Sequence, residues 1–364
     1  MTERTSDGEP LPAPSIGGES VLDPPPAGTV VVGSAEPAAI DVLEDAPPAA
    51  GIGSAPPTGT GRVRLGDRVF QGMTSGAGAF VVLLVLLVGV FLIYQAIPAI
   101  RDDQVNFLTS REWAVSGSTL RFGIAGLLWT TVLISVIAMI IAVPISIGIA
   151  LFMTQYAPRQ LSRPIAYVID LLAAIPSIIY GIWGITVLAP KLEPIQRALY
   201  HLGGIPIFKD KGFVRGSIFD GGVVLAIMIL PIITAIARDV FERTPRQNIE
   251  AAWALGATRW EMIRMAVLPY GRPGVVSGAM LGLGRALGET IAILLIVSAP
   301  ANGAPFSASI FNGGQTFAAK IAADSAEFPS APGPYIAAGL VLFVLTFIVN
   351  AAARGIVNRR KDFS

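Results

Sequence analysis

EAAWALGATRWEMIRMAVLP, Glu250 to Pro269, is the stretch that decides the fold. Residues 248–255 carry small side chains in a helical pattern, and Gly256 follows as a residue that permits a break into a second helix. Pro269 is read as the stop of that second helix. The apolar set Trp253, Leu255, Trp260, Met262, Ile263, Met265 and Val267 is too large for a water-exposed loop, so the segment must pack against something. An interfacial helix lying on lipid would account for the tryptophans and arginines, but not for a small-residue start followed by a glycine break.

Outward from this segment the chain is a membrane protein. Of its 364 residues 53% are hydrophobic and only 14% charged, against about 25% charged in soluble domains; the mean hydropathy is +0.65. At about 20 residues per crossing of a hydrocarbon core of about 30 Å, six spans emerge, near 76–98, 122–153, 164–189, 222–241, 273–299 and 334–353. The expected fold is therefore all-α, with six transmembrane helices over residues 67–364 and the quoted segment inside a connecting loop, 242–272. Pro144, Pro176 and Pro231 fall within spans, where neighbours can satisfy the carbonyl that each frees.

Residues 1–66 read differently. The first 61 hold nine acids against one base, Arg4, and eleven of the 28 prolines; no stretch there buries enough apolar surface to offset ordering entropy. This reads as a disordered acidic tail. Its acidic start without an apolar centre is not a secretory signal, so the tail is expected to stay attached, in the cytoplasm. Lys and Arg number 15 in the flanks that share a side with the termini and nine in the opposite set, which favours both termini and the 242–272 loop inside.

Several chemistries are excluded. Zero cysteines remove disulfides, thiolate metal sites and cysteine catalysis, and one histidine, His201, removes chemistry that needs two imidazoles. No G-x-x-x-x-G-K-[ST] loop occurs, so the chain binds no nucleotide in that way. Gly274, Gly278, Gly282 and Ala286 recur every four residues as a small-residue stripe, where span five meets a neighbour. In the same span Arg285 and Glu289 lie about 18 and 24 Å in from residue 273, four apart, so that on one helical face they can pair. An uncompensated charge at that depth costs about 2.5 to 3.5 kcal/mol on insertion scales, and a guanidinium suits an oxyanion in transit. Glu289 would hold Arg285 between passages. Ser177, Thr290 and Ser298 are candidate extra donors, each equally able to bond its own backbone.

The quoted segment resembles the EAA motif of permease subunits of binding-protein-dependent ABC importers: Glu250, Ala251, Ala252, Gly256, Leu268 and Pro269 match, and Ala266 stands at the usual isoleucine position. With LLAAIPSIIYGIWG at 171–184 and GLGRALGETIA at 282–292, the likeness is to the phosphate-specific members, over residues about 70 to 357. It implies a six-helix half of a type I importer in a bacterial inner membrane, completed by a sister permease. It also implies an ATPase dimer that docks on those motif residues and binds the ATP and Mg, an external phosphate-binding protein, and Arg285 and Glu289 in the substrate path. No cofactor is expected in this chain, and no nucleic acid among its partners; membrane lipid surrounds it. Another tetrahedral oxyanion (sulfate, molybdate or tungstate) and, further off, an anion channel stay open as alternatives.

Deleting residues 2 to 60 is expected to leave phosphate uptake near the wild-type rate in cells that express equal amounts. Loss of most uptake at matched expression would make the tail part of the mechanism.

Overall fold

The computed structural model describes residues 65–115, 119–201, 206–208, 215–299, 307–327 and 332–358. The expected acidic tail lies outside the described residues up to residue 64, as do Arg62, Arg64, Lys209, Lys211, Arg359, Arg360 and Lys361 of the charge count.

The chain opens with α1 (Leu65–Asp102), followed by an antiparallel pair, β1 (Trp113–Ala114) and β2 (Arg121–Phe122), with Trp113 opposite Phe122. Next come α2 (Ala125–Leu151), extended by a π turn (Phe152–Tyr156), and α3 (Arg159–Ala174). α4 (Ser177–Trp183) continues through a π turn (Gly184–Leu188) into α5 (Ala189–His201). α6 (Ile218–Glu242) and α7 (Arg246–Ala254) precede α8 (Arg259–Met262), which passes through a π turn (Ile263–Val267) into α9 (Leu268–Gly288). α10 (Ile291–Ile296), α11 (Phe317–Glu327) and α12 (Gly333–Asn358) complete the order.

Among the described residues five helices are long and apolar enough to cross a bilayer: Gly66–Asp102, Ala125–Tyr156, Ser177–His201, Ile218–Glu242 and Gly333–Ala352. Their burial ranks them, since the apolar window of α6 is 67% buried and that of α1 only 6%. α6 is thus the axis of the bundle, whereas α1 leaves its leucines, valines and phenylalanines bare, as a lipid-facing helix does. Two apolar clusters lie along α2 and α6. One gathers Ile134, Ile218, Leu225, Ile229, Ile293, Ile296 and Phe311. The other gathers Ala150, Leu151, Phe241, Met262, Ile263 and Val267.

Close approach to α6 depends on missing side chains. A Cβ on Gly222 of α6 would come within 2.6 Å of the Ile137 side chain of α2, and one on Gly282 of α9 within 2.9 Å of Ile233. Gly278 likewise faces Ile236, and Gly274 faces Val240. The small-residue stripe of α9 is therefore the face laid on α6. The first turn of α6 is held by a capping box, a pattern readable as Ser217-x-x-Asp220. Asp220 Oδ2 accepts from the Gly216 and Ser217 N–H groups at 3.2 and 3.1 Å, and Oδ1 accepts from Gln196 Nε2 of α5 at 2.6 Å. The indole N–H of Trp113 in β1 donates to Asp324 of α11, which also pairs with Lys320 at 3.0 Å, tying the strand pair to α11.

Three expectations change. The apolar run at 164–189 is two helices, because Ile175 (φ −67°, ψ 128°) and Pro176 (φ −58°, ψ 139°) are both extended. A residue before proline is driven out of the helical region by the proline ring, and the crossing segment becomes Ser177–His201, reaching well into the expected loop 190–221. The run at 273–299 is not one continuous helix either. Its helix stops at Gly288, Glu289 turns extended (φ −69°, ψ 125°), and a short helix resumes at Ile291. Finally, Pro269 stops nothing. The π turn before it shifts the ladder by one residue, with the Leu268 N–H bonded to the Ile263 carbonyl, and the helix runs on through the proline.

Candidate functional site

The quoted segment folds as two capped helices. α7 ends in a Schellman arrangement in which the Gly256 N–H donates to the Trp253 carbonyl at 2.9 Å and the Ala257 N–H to the Ala252 carbonyl at 3.1 Å. Gly256 sits at φ +77°, which any side chain would strain. A Cβ there would meet nothing within 4 Å, so the surface around it is open. Two residues on, Thr258 starts α8 with a second capping box: its N–H and hydroxyl donate to Glu261 Oε2 at 2.8 and 2.7 Å. The Thr258 N–H first and its hydroxyl second hold the Glu261 carboxyl below the usual carboxylate range.

The apolar set of this segment divides in two. Met262, Ile263 and Val267 are buried against Phe241 and Leu151, with Ala252 and Ala266 beside them. Trp253, Leu255, Trp260 and Met265 stay exposed, Leu255 at 79%. Glu250, Ala251 and Gly256 are exposed as well, Leu268 is half-buried and Pro269 exposed, so the motif residues form a mostly bare face on an anchored base. The helix that starts at Arg259 then continues without interruption to Gly288.

At the far end of that helix the expected ion pair is absent. Among the described residues five ion pairs lie within 4.0 Å, and Arg285 with Glu289 is not one of them. The reason is the break: the four-residue spacing puts two side chains on one face only if the helix continues, and here it ends between them. Glu289 is buried, 9% exposed, and its Oε1 accepts from the Ala292 N–H at 3.3 Å, closing the first turn of α10. Arg285 is exposed in the last turn of α9, with no ion-pair partner among the described residues. Gly284 and Gly288 flank it with open space where a Cβ would stand.

Of the candidate donors, the Thr290 hydroxyl bonds the Gly288 carbonyl at 3.2 Å, the Ser298 hydroxyl bonds the Arg215 carbonyl at 2.9 Å, and Ser177 sits half-buried in the first turn of α4. His201 is exposed in the last turn of α5, edge-on to Tyr200. One buried polar residue escaped the sequence reading. Tyr180 of α4 is 7% exposed and donates its hydroxyl to the Leu172 carbonyl at 2.9 Å. A phenol inside an apolar run, whose hydroxyl must find a partner when buried, was the available signal.

Comparisons with known proteins identify the family. Residues 142–362 match the model of the family described as "Binding-protein-dependent transport system inner membrane component". The phosphate transport system permease protein PstC 2 of Mycobacterium tuberculosis is 54% identical over 300 residues, covering 80% of this chain and 92% of that protein. PstC of Mycobacterium leprae is 52% identical over 278 residues, covering 74% of this chain and 86% of its own length, and PstC of Mesorhizobium japonicum is 41% identical over 311 residues, covering 82% and 92%. A solved bacterial alginate ABC transporter, in complex with a periplasmic protein bound to an alginate pentasaccharide, covers 81% of this chain and 98% of its own with a TM-score of 0.55 at 15% identity, a likeness of fold. This membrane-embedded chain belongs to the binding-protein-dependent transport system inner membrane components, among their PstC phosphate transport permeases.

Proposed function

We propose that this permease forms one half of the path by which an ATP-driven importer carries inorganic phosphate across the bacterial inner membrane, with Arg285 as the fixed charge that the anion meets. The observation that carries the reading is the single helix from Arg259 to Gly288. It begins in the bare coupling face and reaches Arg285 about 40 Å away at 1.5 Å per residue. A push on α8 is thus delivered along a rigid rod to the cation. Arg285 supplies the positive charge and planar donors that an oxyanion needs in a low-dielectric slab. Glu289, held in the cap of α10, lines the same break, and a carboxylate charge there would prevent the anion from binding too tightly to leave.

The rest of the assembly follows from the family. A sister permease of the PstA kind would face Arg285 across the path, a pair of PstB-like ATPases would hold ATP and Mg and dock on Glu250, Ala251, Ala252, Gly256, Leu268 and Pro269, and a PstS-like binding protein would deliver phosphate from outside. This chain itself hydrolyses nothing. Both termini and the 242–272 loop would face the cytoplasm. In the cysteine-free chain, a cysteine at Ser307 is expected to react with an impermeant thiol reagent in intact cells, and one at Thr258 only after the membrane is opened. The reverse pattern would invert the topology.

For the coupling face, Gly256→Asp and Glu250→Lys are expected to abolish uptake while the chain still inserts. The aspartate adds about 1–2 kcal/mol of backbone strain at a left-handed position and a side chain on the docking side. Normal ATP-driven uptake in both variants would remove this face from the mechanism.

For the path, Arg285→Gln is expected to assemble yet to lose phosphate uptake at least about tenfold, the effect of one lost charge-assisted hydrogen bond or more. Because Arg285 and Glu289 do not touch, the double change with Glu289→Gln is expected to stay inactive. A fully active double variant would leave the two charges as a packing device. Uptake of labelled phosphate in the presence of excess sulfate, molybdate or tungstate separates phosphate from the other oxyanions; suppression by one of them would reassign the substrate.

A further inference from the structure

Besides α7 and α8, one more segment comes to the same end of the bundle. α2 leaves its regular ladder in the π turn Phe152–Tyr156, which the Ala157 N–H closes by donating to the Phe152 carbonyl at 2.8 Å. Pro158, extended at φ −65° and ψ 154°, then starts α3, and its carbonyl accepts from the Leu161 and Ser162 N–H groups at 2.9 and 3.0 Å. The bend between α2 and α3 is thus fixed by its own backbone. Single π turns of this kind are frequent at functional sites.

This turn and the coupling segment rest on one base. Ala150 and Leu151, at the end of α2, belong to the apolar cluster that also holds Met262, Ile263 and Val267. From the first residue of α8 the Arg259 guanidinium stands over the Tyr156 ring, 5.4 Å from its centroid, a distance at which cation and ring attract. Tyr156 is nevertheless 46% exposed and Leu161 45%, with Pro158, Arg159, Gln160 and Arg163 exposed beside them. Arg159, Arg163 and Arg259 have no ion-pair partner among the described residues. Size argues that a partner reaches this far. Between Glu250 and Met265 twelve residues are exposed, whereas a stable interface takes about 20–30 residues a side.

We propose that the turn from Tyr156 to Arg163 is a second docking point for the ATPase, clamped to the first by the contact of Tyr156 with Arg259. It takes a surface of that ATPase on which carboxylates surround an apolar contact, since the turn offers a ring and a leucine among unpaired guanidinium groups. Tyrosine and arginine are also the residues that most often anchor an interface. The inference rests on the reading of the 250–269 segment as the ATPase seat. Tyr156 ends the helix that packs along α6. An ATPase bound at both points therefore grips α2 and α8 together, and its movement reaches the bundle through two helices instead of one.

The test uses the assembled importer in lipid nanodiscs, with single cysteines at Gln160 of the turn, Leu255 of the coupling segment and Val82 of α1, all exposed. Each cysteine carries a benzophenone, and the adducts formed on illumination are identified by mass. Positions 160 and 255 are expected to form adducts with the ATPase, and position 82 none. ATPase adducts at 255, with only lipid or the sister permease captured at 160, overturn the second docking point and leave the coupling segment standing. ATPase adducts at neither position overturn both. Titration of purified ATPase onto the permease pair in nanodiscs is the second measurement. Arg163→Glu, which leaves Tyr156 and Arg259 in place, is expected to weaken binding at least about threefold at low ionic strength and less at high salt, because salt screens exposed charges. Tyr156→Phe keeps the ring and is expected to bind like the parent, whereas Tyr156→Ala is expected to lose about two- to fivefold, the effect of an exposed cation–π contact. Unchanged binding in both Arg163→Glu and Tyr156→Ala overturns the proposal even where position 160 is captured, since the turn is then only a neighbour of the ATPase.

Discussion

The contact of α9 with α6 is the constraint on which the other arrangements depend. In hydrocarbon no hydrophobic force drives one helix against another, and association relies on backbones coming close enough for dispersion to act over a long seam. Gly274, Gly278 and Gly282 provide that seam against Val240, Ile236 and Ile233. The last turn of α9, beyond the seam, is left open, and there Arg285 is exposed with open space beside Gly284 and Gly288. Phe241, near the end of the same helix α6, clusters with Met262 and Ile263, so the 250–269 segment is seated on the same packing.

Much of this was legible in the residues. The small-residue start, the glycine break and the four-residue stripe each impose a local geometry that does not depend on distant partners. Gly256 adopts the left-handed conformation for which glycine is suited, and the stripe packs as its spacing requires. Arg285 and Glu289 were expected to pair on one helical face, and they do not. Counting four residues assumes an unbroken helix, and GET at 288–290 carries no proline to warn of the break.

Prolines were the least legible residues. Pro144 and Pro231 lie inside α2 and α6, Pro176 divides two helices, and Pro269 is carried through by a π turn. The ring is the same in all four cases. What differs is whether neighbouring groups can take up the freed carbonyl and whether the ladder can shift by one residue. Those are tertiary facts, set by the helices around each site. Tyr180 was overlooked for a related reason: the Leu172 carbonyl that its hydroxyl meets is left free only by the folded break.

The two caps that flank Gly256 also bear on association. Every hydrogen bond that shapes the bend between α7 and α8 is made within residues 251–261, by the Schellman pair on one side and the Thr258–Glu261 box on the other. The bare face is therefore rigid before anything meets it. A partner that binds there finds Trp253, Leu255 and Trp260 on a frame already ordered, and association does not have to supply the roughly 1–2 kcal/mol per residue that fixing a floppy backbone would require. Encounter on such a surface resembles the docking of two preformed solids more than the folding of a loop around a ligand.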